Sequence, residues 1–172
     1  MSTGNRRIEQ NPEVKPELYD SLDLRSNQSK LFIAAAGFLG FGKRSTIKTG
    51  IQAGGILGEK VFNNELYRIG GIQTLRGFDI ESIQASMYGI LTVEYRYLLE
   101  RRSYLSLFTD LAYYENVSLD QRIFDRPYGF GAGMAFDTKS GVFSLSYALG
   151  SEKGNPILFR SSKIHFGFVN VF

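Results

Sequence analysis

Along most of the chain, apolar residues alternate with small or polar ones at a period of two, the pattern of β-strands with two unlike faces. In TIKTGIQAGGIL, Ile47, Ile51, Ala53 and Leu57 share one face, opposite Lys48, Gly50, Gln52 and Gly54. In LTVEYRY, Leu91, Val93, Tyr95 and Tyr97 oppose Thr92, Glu94 and Arg96. In LSLFTDLAYY, Leu105, Leu107, Leu111 and Tyr113 oppose Ser106, Phe108, Asp110 and Ala112. YGFGAGMAFD sets Tyr128, Phe130, Ala132, Met134 and Phe136 against Gly129, Gly131, Gly133 and Asp137. VFSLSYALG and KIHFGFVNVF continue the pattern, with His165 and Gly167 opposite Ile164, Phe166 and Phe168. KLFIAAAGFLGF is strand-like without clean alternation. One face is thus large and apolar, the other small or charged.

The connections alternate as well. Segments 42–45, 100–103 and 138–141 are short, whereas 58–85, 115–126 and 151–162 are long. Strict short–long alternation suits an outer-membrane barrel with short periplasmic turns and long extracellular loops. A soluble barrel has no reason to segregate loop lengths in this way. The expected strands lie near 30–41, 45–57, 86–99, 103–114, 127–138, 141–150 and 163–172, about the 9–11 residues that cross a bilayer at a tilt. Residues 10–29 read as a further polar loop, which requires a short strand within 1–9. The fold class expected is therefore all-β: an antiparallel transmembrane barrel of about eight strands in a meander, occupying residues 1–172. Leu91, Val93, Leu105, Leu107, Phe130, Phe143, Leu145 and Phe166 are expected to face lipid.

Composition narrows this further. With 14 Phe, 10 Tyr, 19 Gly and 4 Pro in 172 residues, the chain favours strands and tight turns. It has no cysteine and one histidine. Disulfides, thiolate metal sites and a histidine dyad have nothing to draw on. The formal charge of +3 comes from scattered Lys and Arg, not from the basic face that nucleic-acid binding needs. MSTGNRRIEQNPEV has no apolar core and does not read as a signal peptide. At face value that says cytoplasm, against everything downstream. Met1 is therefore expected to be an artificial start or the cut edge of a longer protein.

Residues 70–78, GGIQTLRGF, pose a question: a Gly-rich loop too long for a hairpin carries a single arginine. Together with VEYRY, FTDLAYY, YGFGAG and GVFSLSYA in that order, and with a terminal Phe172, it resembles the C-terminal half of the barrel in the bacterial surface antigen superfamily. These are the outer-membrane-protein assembly barrels of the BamA and TamA kind. The resemblance covers roughly residues 30–172. TLRGF is similar to the family's Arg-Gly-Phe/Tyr loop motif, and FTDLAYY to its Phe-x-Asp-x-Gly strand, with Ala112 where glycine is usual.

The resemblance implies that the loop folds back into the lumen, with Arg76, Gly77 and Phe78 at its tip and Asp110 as the arginine's partner. Local chemistry is compatible. A buried carboxylate on the polar face is costly unless paired, and arginine offers a planar fork for it. Glu94 and Arg96 lie on the same side and are expected to extend the network. His165, Gly167 and Phe172 fit a C-terminal assembly signal, although Asn170 departs from it. Taken without the resemblance, Arg76 reads as a solvated loop residue and 163–172 as a plain edge strand.

The function implied is help with insertion and folding of outer-membrane proteins, without a cofactor, in the bacterial outer membrane. The partners implied are the lipid bilayer, unfolded outer-membrane protein substrates, periplasmic assembly factors and a second copy of the chain. The alternatives are a minimal structural barrel and a fragment of a translocation pore without activity of its own. Eight strands leave an interior that side chains nearly fill, so a loop of this length has little room in it. Either the protein has more strands, or two copies pair, or the loop caps the barrel from outside. No G-x-S-x-G, H-E-x-x-H or P-loop is present, so no enzyme is expected.

Overall fold

The computed structural model describes residues 2–7, 25–58, 61–100, 102–118, 121–154, 157 and 159–169. Eight strands pair antiparallel, each with its neighbour in the chain's main meander. They are β1 (Ser2–Arg7), β2 (Arg25–Phe41), β3 (Ser45–Leu57), β6 (Met87–Leu98), β7 (Tyr104–Ser118), β9 (Tyr128–Thr138), β10 (Gly141–Ser151) and β11 (Lys163–Val169). Between β3 and β6 the long connection carries a two-stranded ribbon of its own, β4 (Tyr67–Ile69) with β5 (Ile83–Ala85). A short strand β8 (Gln121–Asp125) folds back on β7. A 3₁₀ turn, Phe159–Ser161, precedes β11. Among the described residues no helix is long and apolar enough to cross a membrane.

Strand boundaries differ from the alternation pattern in informative places. β2 begins at Arg25, because the polar run RSNQS pairs with β1 in the register Arg7↔Arg25 to Ser2↔Lys30. Residues 25–29 are thus strand, not loop. β7 likewise continues to Ser118 and turns back into β8, so 115–126 is largely a hairpin. A ladder needs only backbone donors and acceptors, and these outlast the apolar alternation. β11 is described to Val169; Asn170, Val171 and Phe172 lie outside the described residues.

Register fixes which side chains share a level. Phe38, Lys48, Glu94, Phe108, Gly131, Ala148 and Lys163 form one row across seven strands. One position on along the neighbouring strands, the row carries the alternation that separates two faces. On the outer face Leu91, Val93, Leu105, Leu107, Phe130, Leu145 and Phe166 are all exposed. Phe143 shares that face but is half-buried, because the rings of Phe136, Phe166 and Phe168 crowd it at centroid distances of 5.5, 5.9 and 4.6 Å. So much uncovered apolar surface, in one continuous band, is unlike a water-facing sheet.

The other face is covered by the long connection, and this is where the core sits. Ile69, Leu75, Phe78, Ile83 and Ala85 from the connection pack on Tyr88 and Ile90 of β6 and Ala112 of β7. Full burial of a side chain such as Leu75 contributes about 1.5–3 kcal/mol. The loop therefore lies against the inner face and does not cap the sheet from outside. The sheet is a partial barrel: among the described residues β1 and β11 remain its two ends.

Candidate functional site

The site is the tip of the long connection pressed onto the polar side of β6, β7, β9, β10 and β11. Its shape follows from local chemistry. β4 and β5 clamp the base of the loop through the register Tyr67↔Ala85 and Ile69↔Ile83. Tyr67 also donates from its hydroxyl to the Leu31 carbonyl at 2.8 Å. The chain then reverses at Gly70 and Gly71. The Gly70 N–H donates to the Thr74 hydroxyl at 2.8 Å, and the Gly71 N–H to the Leu75 carbonyl at 3.0 Å. This turn drives Leu75 into the core and leaves Arg76 facing the wall.

Arg76 meets Asp110 of β7 in a bidentate pair. Its Nε donates to Oδ2 and its Nη2 to Oδ1, both at 2.8 Å. The backbone N–H of Arg76 adds a third hydrogen bond to Oδ2 at 3.1 Å, and Thr92 of β6 donates a fourth to Oδ1 at 2.9 Å. Asp110 is completely buried, so four donors on two oxygens answer its desolvation. The third guanidinium nitrogen, Nη1, donates to Glu94 Oε2 at 2.7 Å. Arg96 donates from Nε to the other Glu94 oxygen at 2.7 Å. Arg76 and Arg96 thus flank Glu94, and Arg76 bridges Glu94 and Asp110. The guanidinium carbon of Arg76 lies 3.5 Å from the centre of the Phe108 ring, and that of Arg96 lies 4.2 Å from the ring of Tyr104; both contacts are cation–π in kind. Burial by itself lowers the Arg76 pKa. The hydrogen bonds and charge of Asp110, then those of Glu94, more than offset this and hold it above its ordinary value.

Three glycines make room for the tip. Gly77 has φ +94°, a conformation open to glycine, and a Cβ there would meet the Gly150 nitrogen at 2.7 Å. A Cβ on Gly129 would come within 1.9 Å of the Arg76 carbonyl oxygen, and one on Gly150 within 2.6 Å of the Gly77 carbonyl oxygen. Gly129 of β9 and Gly150 of β10 are therefore the floor on which the loop backbone rests. Phe78 follows, buried in the core cluster.

The last strand also touches the loop. His165 is buried, and its Nε2 accepts from the Gly77 N–H at 3.3 Å. Two positions on, a Cβ at Gly167 would lie 3.2 Å from Ile72 Cδ1. The structure thus brings Arg76, Gly77, Phe78, Asp110, Glu94 and Arg96 together, and adds His165 and Gly167. Phe172 lies outside the described residues. The motifs alone did not mark Thr92, Phe108, Gly150 or the His165–Gly77 bond. Their inward parity was readable, but their convergence depends on where the loop lands. Among the described residues, no group of three His, Asp or Glu is placed to hold a metal ion.

The family model of the Omp85 superfamily domain matches residues 19–172. No curated protein matches the chain.

Proposed function

The chain belongs to the Omp85 superfamily, a family of outer-membrane protein assembly and translocation, and from that membership and the pinned loop we propose that it assists the insertion and folding of other outer-membrane proteins. The observation that carries this reading is the double attachment of the loop tip: Arg76 to Asp110 in the middle of the sheet, and Gly77 to His165 on its last strand. A loop fixed at both points sets the tilt and spacing of an edge strand from within. Edge strands present unpaired N–H and C=O groups that an incoming strand can add to. The driving force is then backbone pairing in a medium where unpaired groups are costly, and neither a cofactor nor ATP is required. The partners in this reading are the bilayer of the bacterial outer membrane and unfolded outer-membrane proteins, delivered by periplasmic assembly factors.

The covered inner face speaks against an open conducting pore, since the tip and its aromatic neighbours occupy the space a channel would need. The test is reconstitution. A urea-unfolded outer-membrane barrel is diluted into vesicles with and without the chain, and its folding is followed by gel mobility. Faster folding with the chain, reduced by Arg76→Ala, supports the reading. Equal rates with and without the chain would leave a structural barrel as the better account.

A further inference from the structure

We propose that the cavity between the loop tip and the short-turn end of the sheet binds one small oxyanion, of the size and charge of inorganic phosphate. The proposal stands on the geometry of that cavity and does not depend on the assembly reading.

Strand register builds its floor. Arg96, Ser106, Gly133, Ser146 and His165 fall on one level across β6, β7, β9, β10 and β11. Glycine leaves a depression in the middle of that level. A Cβ on Gly133 would lie 3.1 Å from Ser106 Oγ and 3.3 Å from Ser146 Cβ. Lys48 of β3, Glu94 and Arg96 of β6 and Tyr104 of β7 line the sides, and Ile72 and Arg76 of the loop close over them. The space so bounded has a volume of about 150 Å³. That is well below the roughly 300–1,000 Å³ of pockets for drug-sized ligands, so a ligand here must be small.

The charges around this space do not cancel. Lys48, Arg76 and Arg96 face two carboxylates, Glu94 and Asp110. Both carboxylates are already matched: Asp110 by Arg76, and Glu94, oxygen by oxygen, by Arg76 and Arg96. Arg96 spends its Nε on Glu94, and among the described residues its two terminal nitrogens donate to no other group. The Tyr104 ring, 4.2 Å from its guanidinium carbon, holds that end in place. Lys48 is half-buried, and among the described residues its ammonium makes no hydrogen bond or ion pair. One positive charge is thus left over beneath the loop, where an unanswered charge is unfavourable.

A second observation points the same way. Ser146 is 6% exposed and lines the cavity, and among the described residues its Oγ has no hydrogen-bond partner. A buried hydroxyl without a partner is unfavourable in its own right. Hydroxyl, guanidinium and ammonium groups all donate, so one acceptor-rich anion answers all three. Water would leave the surplus charge in place. The donors stand on β3, β6 and β10, which suits a ligand with several oxygens over a single-atom halide. Bound there, the anion would tie these strands together under the loop tip. Tyr104 is the first residue of β7 and Arg96 stands two residues before the end of β6, so the approach is from the short-turn end. Free phosphate and the phosphomonoester of a lipid headgroup share this chemistry, and the experiment separates them.

The full chain, folded in dodecylmaltoside micelles in Tris–chloride buffer, is titrated with inorganic phosphate by isothermal calorimetry. The expected result is saturable binding of one phosphate per chain, which chloride at equal ionic strength does not reproduce. Lys48→Met should weaken it at least about tenfold and Ser146→Ala about three- to tenfold. Lys48→Arg keeps the charge and should retain most of the binding. Heat-modifiable gel mobility checks that each variant is folded, and Ser146→Ala decides the case if Lys48→Met is not. Dihexanoyl phosphatidic acid is then added as a competitor. Displacement of phosphate extends the site to lipid headgroups, and no displacement assigns it to the free ion; both outcomes support the site. The proposal is overturned if phosphate shows no saturable binding or chloride gives the same response. It is equally overturned if the folded Lys48→Met and Ser146→Ala variants bind phosphate as tightly as the parent chain.

Discussion

Arg76 and Asp110, 34 residues apart in the chain, meet through two side-chain hydrogen bonds of 2.8 Å each. Their surroundings are unequal. Among the described residues Asp110 has Arg76 alone as a cationic partner, whereas Arg76 also holds Glu94. Removal of one member of a buried pair costs about 3–5 kcal/mol, because it leaves the other charge uncompensated.

Arg76→Ala is therefore expected to destabilise the folded chain more than Asp110→Ala. The first change strands a fully buried carboxylate, and the second leaves the guanidinium on Glu94. The double variant should cost less than the sum of the two single changes, since neither charge is then stranded. Urea unfolding in detergent micelles, followed by heat-modifiable gel mobility, measures all three. Additive costs would mean that the two side chains do not interact.

Gly129→Ala should eject the loop tip, while Gly89→Ala should be silent. A Cβ at 129 would sit 1.9 Å from the Arg76 carbonyl oxygen, a backbone atom that cannot swing aside, whereas one at 89 meets nothing within 4 Å. Overpacking of this kind costs about 1–3 kcal/mol. Limited trypsin digestion is the check, since release exposes the bond after Arg76. Uncut Gly129→Ala protein would show that the loop does not rest on β9.

Leu107→Arg on the outer face should be far more harmful than Gln52→Arg on the inner one. Leu107 lies 62% exposed within the apolar band, where a cation near mid-membrane costs about 2–4 kcal/mol. Gln52 points the other way, into a space lined by Thr74, Thr92 and Lys48. The yield of protease-resistant protein in vesicles separates the two. Equal yields would mean that the outer face does not meet lipid.

The strands were legible wherever one face is apolar, as in Leu91–Val93–Tyr95 or Leu105–Leu107. They were not legible where both faces are polar. Arg25–Ser29, Asn116–Ser118 and Gln121–Asp125 pair as strands through their backbones, yet no alternation marks them. β2 shows the converse. Its apolar residues fall on both faces, Ile33 and Leu39 outward and Phe32 and Phe38 inward, so its pattern had no single period. Arg76 and Asp110 were readable as candidates through their motifs, and Glu94 and Arg96 through parity. The bond from Gly77 to His165 spans 88 residues. It depends on where a loop comes to rest, which no local spacing encodes.

That bond makes the last expectation specific. His165 accepts from the Gly77 N–H through Nε2, which requires a neutral ring with that nitrogen bare. Both groups are buried, and an orphaned N–H in such a place costs about 1–3 kcal/mol. His165→Phe fills similar volume but offers no acceptor, so it should loosen the loop tip from β11. His165→Gln restores a side-chain oxygen and should recover part of the attachment. Amide hydrogen exchange at Gly77, measured on folded protein in micelles, reports the contact directly: exchange should be fast in His165→Phe and intermediate in His165→Gln. The Arg76–Asp110 pair ties the loop to β7 and not to β11, so it should hold and trypsin should still spare Arg76 in both variants. If both variants exchange as slowly as the parent protein, the last strand does not hold the loop, and the edge must be set by the sheet alone.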